Sequence, residues 1–275
     1  MTRVVADLAF EAISNTLEQH RSAIFDPADG LFRGESSFLD WREQTYPSWT
    51  RADTLHIGLS KTLSTNLVHA EAYRIAARLA EEKGLTAASR RYDGWADDLT
   101  RAIDQGFWLE DAGMYSSLKT TFWDSAPTHK FDLLGESLSV VLGVADEARG
   151  RRIVSNYPHT EAGAPVIWPQ QPHTAIYHNR AIWPFVNAYM VRAARAVGND
   201  AVFDRGVETL MRGAALNLTN LENFEFLTQS NDFEDGQYSG PVMNSQRQLW
   251  SVAGYLSMVV HGVFGLEAEQ DSIRF

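Results

Sequence analysis

The sequence predicts an all-α protein of stacked helical hairpins. Three observations predict it. Apolar residues recur at near-helical spacing along most of the chain, glycine or asparagine closes several of these runs, and short connections alternate with long polar ones. Val4 to Gln19 is the first helix, with Val5, Leu8, Ala9, Ile13 and Leu17 along one face. Leu55 to Lys83 reads as one long helix closed by Gly84. Thr86 is placed to cap the next, which runs to about Gln105 before Gly106. Phe131 to Val144, Glu147 to Ser155, Asn179 to Val197, Asp200 to about Leu216 and Gln246 to Phe264 complete about eight helices. Residues 21–54, 106–130, 156–178 and 217–245 are long, aromatic-rich connections, the kind that carries function in a compact domain. Within the second, Gly113 to Ser116 and Thr120 to Trp123 read as a short hairpin. Trimmed turns on one rim and long loops on the other are what stacked hairpins with a site on one rim produce.

Composition narrows the function. The 275 residues form a single domain on this reading, and 44% hydrophobic content supports a packed core. A net charge of −11 excludes the basic face that nucleic acid or an anionic membrane surface requires. With no cysteine there is no disulfide framework, thiolate metal site or thiol nucleophile. Met1 to Asp7 lacks an apolar leader core and no apolar run reaches membrane-spanning length, so a cytoplasmic location is expected.

Three segments concentrate chemistry. Gly34 to Pro47 puts Glu35, Asp40, Glu43, Arg42 and Gln44 among Phe38, Trp41 and Tyr46. Ile167 to Phe185 contains Tyr177-His178-Asn179-Arg180-Ala181-Ile182-Trp183-Pro184. Leu221 to Phe226 contains Glu222-Asn223-Phe224 and is followed by Gln248-Leu249-Trp250-Ser251. Flat aromatic faces beside carboxylates and amides suit a carbohydrate, with the carboxylates available for proton transfer. On the residues alone, Asp40 also reads as a loop aspartate paired with Arg42, and Glu225 competes with Glu222.

In this order the segments resemble the six-hairpin (α/α)6-barrel glycoside hydrolases, above all the clan of families 63 and 37. Glu35 to Arg42 is similar to that clan's E-S-x-x-D-x-x-x-R acid loop, with one residue more before the aspartate and a shorter gap to the arginine. Glu222-Asn223-Phe224 is similar to its base segment, and Tyr177 to Pro184 to its Y-x-N/R-G-x-x-W-P segment. The resemblance implies an inverting glycosidase acting on an α-linked, glucoside-type oligosaccharide, without cofactor or metal. Asp40 would be the acid and Glu222 the base, about 6.5–9.5 Å apart to admit a water. Substrate contacts are expected at Glu35, Trp41, Arg42, Gln44, Trp123, His178, Asn179, Trp183 and Glu225. A tyrosine hydroxyl or an amide next to the base would support it.

A complete barrel has twelve helices, so eight imply a shortened barrel, or an open arc whose edges a second copy covers as a homo-oligomer. Two other readings follow. One is a non-catalytic carbohydrate-binding or subunit-completing helical domain. The other is a sugar epimerase or isomerase of the related toroids, which requires His173 and His178 as an acid–base pair. The histidine spacing matches no zinc pattern, and Asn231 to Gly236 reads as a solvated turn rather than a calcium loop.

Overall fold

The computed structural model describes residues 3–238, 240–268 and 272–274. Among them the α-helices are α1 Arg3–Ala23, α2 Arg42–Thr45, α3 Thr54–Leu59, α4 Leu63–Glu82, α5 Thr86–Phe107, α6 Leu133–Val141, α7 Glu147–Asn156, α8 Pro184–Val197, α9 Asp200–Asn217 and α10 Leu249–Ser257. The strands between them are two to four residues long and serve as pins rather than layers. No described helix is long and apolar enough to cross a membrane.

Backbone contacts divide the chain into two compact units. The first takes Met1–Asp40, Pro47–Trp108 and Ser116–His129; the second takes Trp41–Tyr46, Leu109–Tyr115 and Lys130–Phe275.

The first unit is built on the α4–α5 hairpin. Leu67, Ala70, Tyr73 and Ala77 on α4 and Tyr92, Ala96, Leu99 and Ile103 on α5 are all buried. Each large apolar side chain here contributes about 1.5–3 kcal/mol on leaving water. Gly84, with φ +72°, lets the chain turn after α4, and Leu85 N–H then reaches the Ala80 carbonyl at 2.8 Å. The turn after α1 is held by Asn66. Its Oδ1 accepts from Phe32 N–H at 2.8 Å, and its Nδ2 donates to the Phe32 and Thr62 carbonyls. The Phe32 ring stacks on His69 with centroids 4.0 Å apart.

The second unit centres on α8. Val186, Met190, Val191 and Ala194 are buried on it, and Ala188 and Val191 form a core cluster with Leu210 of α9 and Met258. Gly254 of α10 approaches so closely that a Cβ there would lie 2.5 Å from the Phe185 Cα. α10 also leaves Leu249, Trp250 and Leu256 exposed, with the Trp250 ring 5.3 Å from that of Phe185. Ala181–Ile182 pairs antiparallel with Phe224–Glu225, which brings two chemistry-bearing segments side by side.

Several expected boundaries move, each for a local reason. The run 55–83 is two helices, because Ser60 is buried and extended and Lys61–Thr62 pairs with Leu118–Lys119. Thr86 is the first helical residue of α5 rather than its cap; Leu85 holds the cap position and makes no side-chain cap bond. Phe131–Asp132 pairs with Ile167–Trp168, so α6 starts at Leu133, where the Asp132 carboxylate accepts from Leu134 N–H. Residues 179–183 are strand and turn, and α8 starts at Pro184, suited to a first turn by its fixed φ. α10 passes into a π-helical turn at Met258–Val263. The hairpin in 106–130 pairs 118–121 with 124–127, which leaves Phe122 and Trp123 in its turn.

Candidate active site

In the first unit the acid-loop segment is pinned to the start of α4. Gly34 N–H donates to the Ser60 carbonyl at 2.7 Å. The Glu35 carbonyl accepts from Thr62 Oγ1 at 3.2 Å and Thr65 Oγ1 at 2.9 Å. Ser37 Oγ donates to Ser64 Oγ at 2.8 Å, and Ser36 Oγ accepts from Leu39 N–H. Leu39 is buried, and Asp40, next in the chain, is exposed.

In the second unit the segments around Tyr177 and Glu222 meet. Tyr177 Oη donates to Glu222 Oε1 at 3.1 Å. Ser245 N–H donates to Glu222 Oε2 at 2.7 Å, and Glu222 N–H returns a bond to the Ser245 carbonyl. Two neutral donors from different segments therefore orient one partly exposed carboxylate. The Trp41 ring lies 5.4 Å from the Tyr177 ring, at 53°. Ala175 and Ile176, just before Tyr177, line a cavity of about 200 Å³ with Gly240, Pro241, Val242 and Met243.

The frame that holds Tyr177 uses several residues for which sequence reasoning expected sugar contact. Gln44 is fully buried. Its Oε1 accepts from His178 and Asn179 N–H, both at 2.8 Å, and its Nε2 donates to the Ala175 carbonyl at 2.9 Å. The Gln44 carbonyl accepts from Lys130 Nζ at 2.7 Å; burial lowers that ammonium to about 8. Asn179 ties Gln171 through N–H···Oδ1 at 2.7 Å and Nδ2–H···O at 3.0 Å. Trp183 is 1% exposed and donates Nε1–H to the Tyr177 carbonyl. His178 is buried between Tyr177 and Trp183, and burial holds it down to about 3, so it stays neutral. With His173 exposed on a positive-φ turn, the two histidines do not form a matched acid–base pair.

Glu225 is also internal. Its Oε2 accepts from Leu227 N–H, Thr228 N–H and Thr228 Oγ1 at 2.8–2.9 Å, so it braces its own turn. Gln44, His178, Asn179, Trp183 and Glu225, expected above as sugar contacts, are thus buried side chains packed within the second unit. Glu35, Trp41 and Arg42 remain partly exposed. Trp123, in the first unit, is 73% exposed in its turn beside Phe122. Tyr177 heads the segment Tyr177 to Pro184. Its partner lies 45 residues away, a pairing that no local spacing signals. Among the described residues, no group of three or more His, Asp or Glu side chains is placed to hold a metal.

Residues 35–251 match the family of mannosylglycerate hydrolase MGH1-like glycoside hydrolase domains, well over half of the chain. No curated protein matches the chain. Among solved structures, a GH78 family rhamnosidase of Bacillus sp. GL1 is similar with a TM-score of 0.66 and 19% identity, over 96% of this chain and 24% of the rhamnosidase. A GH63 mannosylglycerate hydrolase from Thermus thermophilus is similar with a TM-score of 0.55 and 15% identity, over 72% of this chain and 45% of that enzyme. Neutral trehalase from Saccharomyces cerevisiae gives 0.57 and 11%, over 78% of this chain and 39% of the trehalase. The chain thus spans about a quarter to under half of these proteins. At such identities the likeness is one of fold, that of the helical-barrel glycosidases. With residues 35–251 matched, the chain belongs to the mannosylglycerate hydrolase MGH1-like glycoside hydrolase domain family.

Proposed function

We propose that this domain hydrolyses a glycosidic bond with inversion, Asp40 acting as general acid and Glu222 as general base, on an α-linked glucoside-type oligosaccharide. The observation that carries this reading is the held carboxylate of Glu222. Tyr177 Oη and Ser245 N–H each bind one of its oxygens, so it is oriented by two donors from different segments. A base must present one oxygen lone pair to a water whose position is set by the sugar ring. Orientation of this kind is worth more than proximity alone. The assignment of Asp40 as the partner of Glu222 rests on the similarity of Glu35 to Arg42 to the clan's acid loop. Protonation of the leaving oxygen by Asp40 and attack of the water held by Glu222 complete the displacement.

The test uses aryl α-glycosides and unmodified oligosaccharides as a substrate panel. Asp40→Asn and Glu222→Gln each abolish release of reducing ends while the helical circular dichroism is unchanged. The first anomer seen by proton NMR is opposite in configuration to the substrate. Normal turnover in both variants sinks the assignment, and a retained anomer sinks the inverting mechanism.

A further inference from the structure

A second polar basin lies in the first unit, and the hydrolytic pair uses none of its residues. It is a cavity of about 460 Å³, within the roughly 300–1,000 Å³ of small-molecule clefts. Its floor is a cluster of three cations and two carboxylates. Lys61 Nζ donates to Asp26 Oδ2 at 2.8 Å and Asp29 Oδ1 at 2.7 Å. Arg33 meets Asp26 Oδ2 through Nη2 at 2.9 Å and Nε at 3.2 Å. Against the opposing effect of burial, these bonds, Lys61 foremost, hold the Asp26 carboxyl well below the usual carboxylate range. Among the described residues, Lys119 makes one long polar contact, 3.4 Å to Asp29 Oδ2, and its side chain is 13% exposed. An ammonium has three donors, and this long contact to a carboxylate shared with Lys61 leaves donor capacity facing the cavity.

Two more features of the same wall point to an occupant. Thr121 lines the cavity at 3% exposure, and among the described residues its buried hydroxyl has no hydrogen-bond partner. Phe122, also on the lining, is 70% exposed in the 118–127 turn, with its ring 5.2 Å from that of Trp123. An apolar ring face next to hydroxyls and paired charges is the composition that receives a pyranose, and the surplus cation selects an anion.

We propose that this basin binds a saccharide carrying one anionic group, a sugar carboxylate or a sugar phosphate. Lys119 takes the anion, Thr121 bonds a sugar oxygen, and Phe122 covers the ring. The salt-bridged Asp26–Lys61–Asp29 floor is the rigid support. This assignment stands whether or not Asp40 and Glu222 form the hydrolytic pair, because it is read by binding and not by turnover.

Calorimetric titration of the intact protein at low ionic strength tests it with four probes: D-glucuronate, glucose 6-phosphate, inorganic phosphate and D-glucose. At least one charged sugar binds with Kd of about 1 mM, about tenfold or more tighter than glucose, and weakens with added salt. Comparing the first two probes tells a carboxylate from a phosphate ligand. Lys119→Met weakens the charged sugar about ten- to a hundredfold, the loss expected for a charged hydrogen bond. Phe122→Ala, in an exposed turn, weakens it several-fold with an unchanged melting temperature. Should Lys119→Met fail to fold, Lys119→Gln and Phe122→Ala carry the same test. Absence of binding by both charged sugars overturns the proposal. So does binding indifferent to these substitutions, and inorganic phosphate binding as tightly as glucose 6-phosphate overturns the saccharide assignment.

Discussion

Replacing Gln44 with leucine tests how the candidate site is held. The side chain is fully buried, and its amide satisfies three backbone groups at once: His178 N–H, Asn179 N–H and the Ala175 carbonyl. Leucine is close to glutamine in volume, so the cavity contribution is small and the cost is almost wholly polar. Ala175 is exposed, and water can take over its carbonyl. The two amide groups belong to residues that are 0% and 1% exposed, and they lose their acceptor without replacement. Each buried group left unsatisfied costs about 1–3 kcal/mol, so Gln44→Leu should destabilise the protein by about 2–6 kcal/mol. Urea unfolding followed by circular dichroism measures the total. Hydrogen exchange at the His178 and Asn179 amides reports where the loss falls, with protection at those two sites dropping most. A loss below about 1 kcal/mol, with both amides still protected, would refute the view that Gln44 is the tie organising the Tyr177 segment.

Two further outcomes follow from the same geometry. Tyr177→Phe removes the phenol that orients Glu222 and keeps the ring against Trp41, so kcat on a cleaved substrate should fall about tenfold or more with little change in melting temperature; unchanged kcat would remove the tyrosine from the site. Asp132 is fully buried, and desolvation raises its carboxyl from 3.8 to about 7, with Glu136 pushed well up beside it by burial and by Asp132. The folded state then keeps a proton that the unfolded chain releases near pH 4, so this group's contribution to stability is greatest below pH 4 and falls as pH climbs to about 7. Asp132→Asn keeps an acceptor for Leu134 N–H and removes that loss, so at pH 8 it should be more stable than the unsubstituted protein, by up to about 4 kcal/mol. Equal stabilities of the two at pH 4 and at pH 8 would contradict the buried-acid reading.

How far the sequence could be read depended on the range of the interactions. Helix identity was legible because period, glycine stops and short connections are local signals. The ends were less legible wherever a tertiary pairing overrode them. The apolar period runs through Ser60, yet the pairing of Lys61–Thr62 with Leu118–Lys119 breaks the helix there. The same reason turned Asn179 to Trp183 from helix into strand and turn, since Ala181–Ile182 pairs with Phe224–Glu225 more than forty residues on.

The chemistry divided in the same way. Which segments carry the carboxylates, amides and aromatics is a property of the chain alone, and so is their order, which marks the family. Whether a given polar side chain faces a ligand or holds the frame is decided by burial. Gln44, Asn179, His178, Trp183 and Glu225 have the residue types of a sugar site, but the fold encloses them and turns their polar atoms toward backbone or neighbouring rings. Tyr177 became a partner of Glu222, and Lys119 a cation lining a cavity beside Asp29, only once distant segments met. The sequence by itself determined the helical class and the positions of the candidate acid and base. Tertiary structure decided which polar groups remain available for chemistry, because the cost of burying an unpaired polar atom depends on every segment that surrounds it.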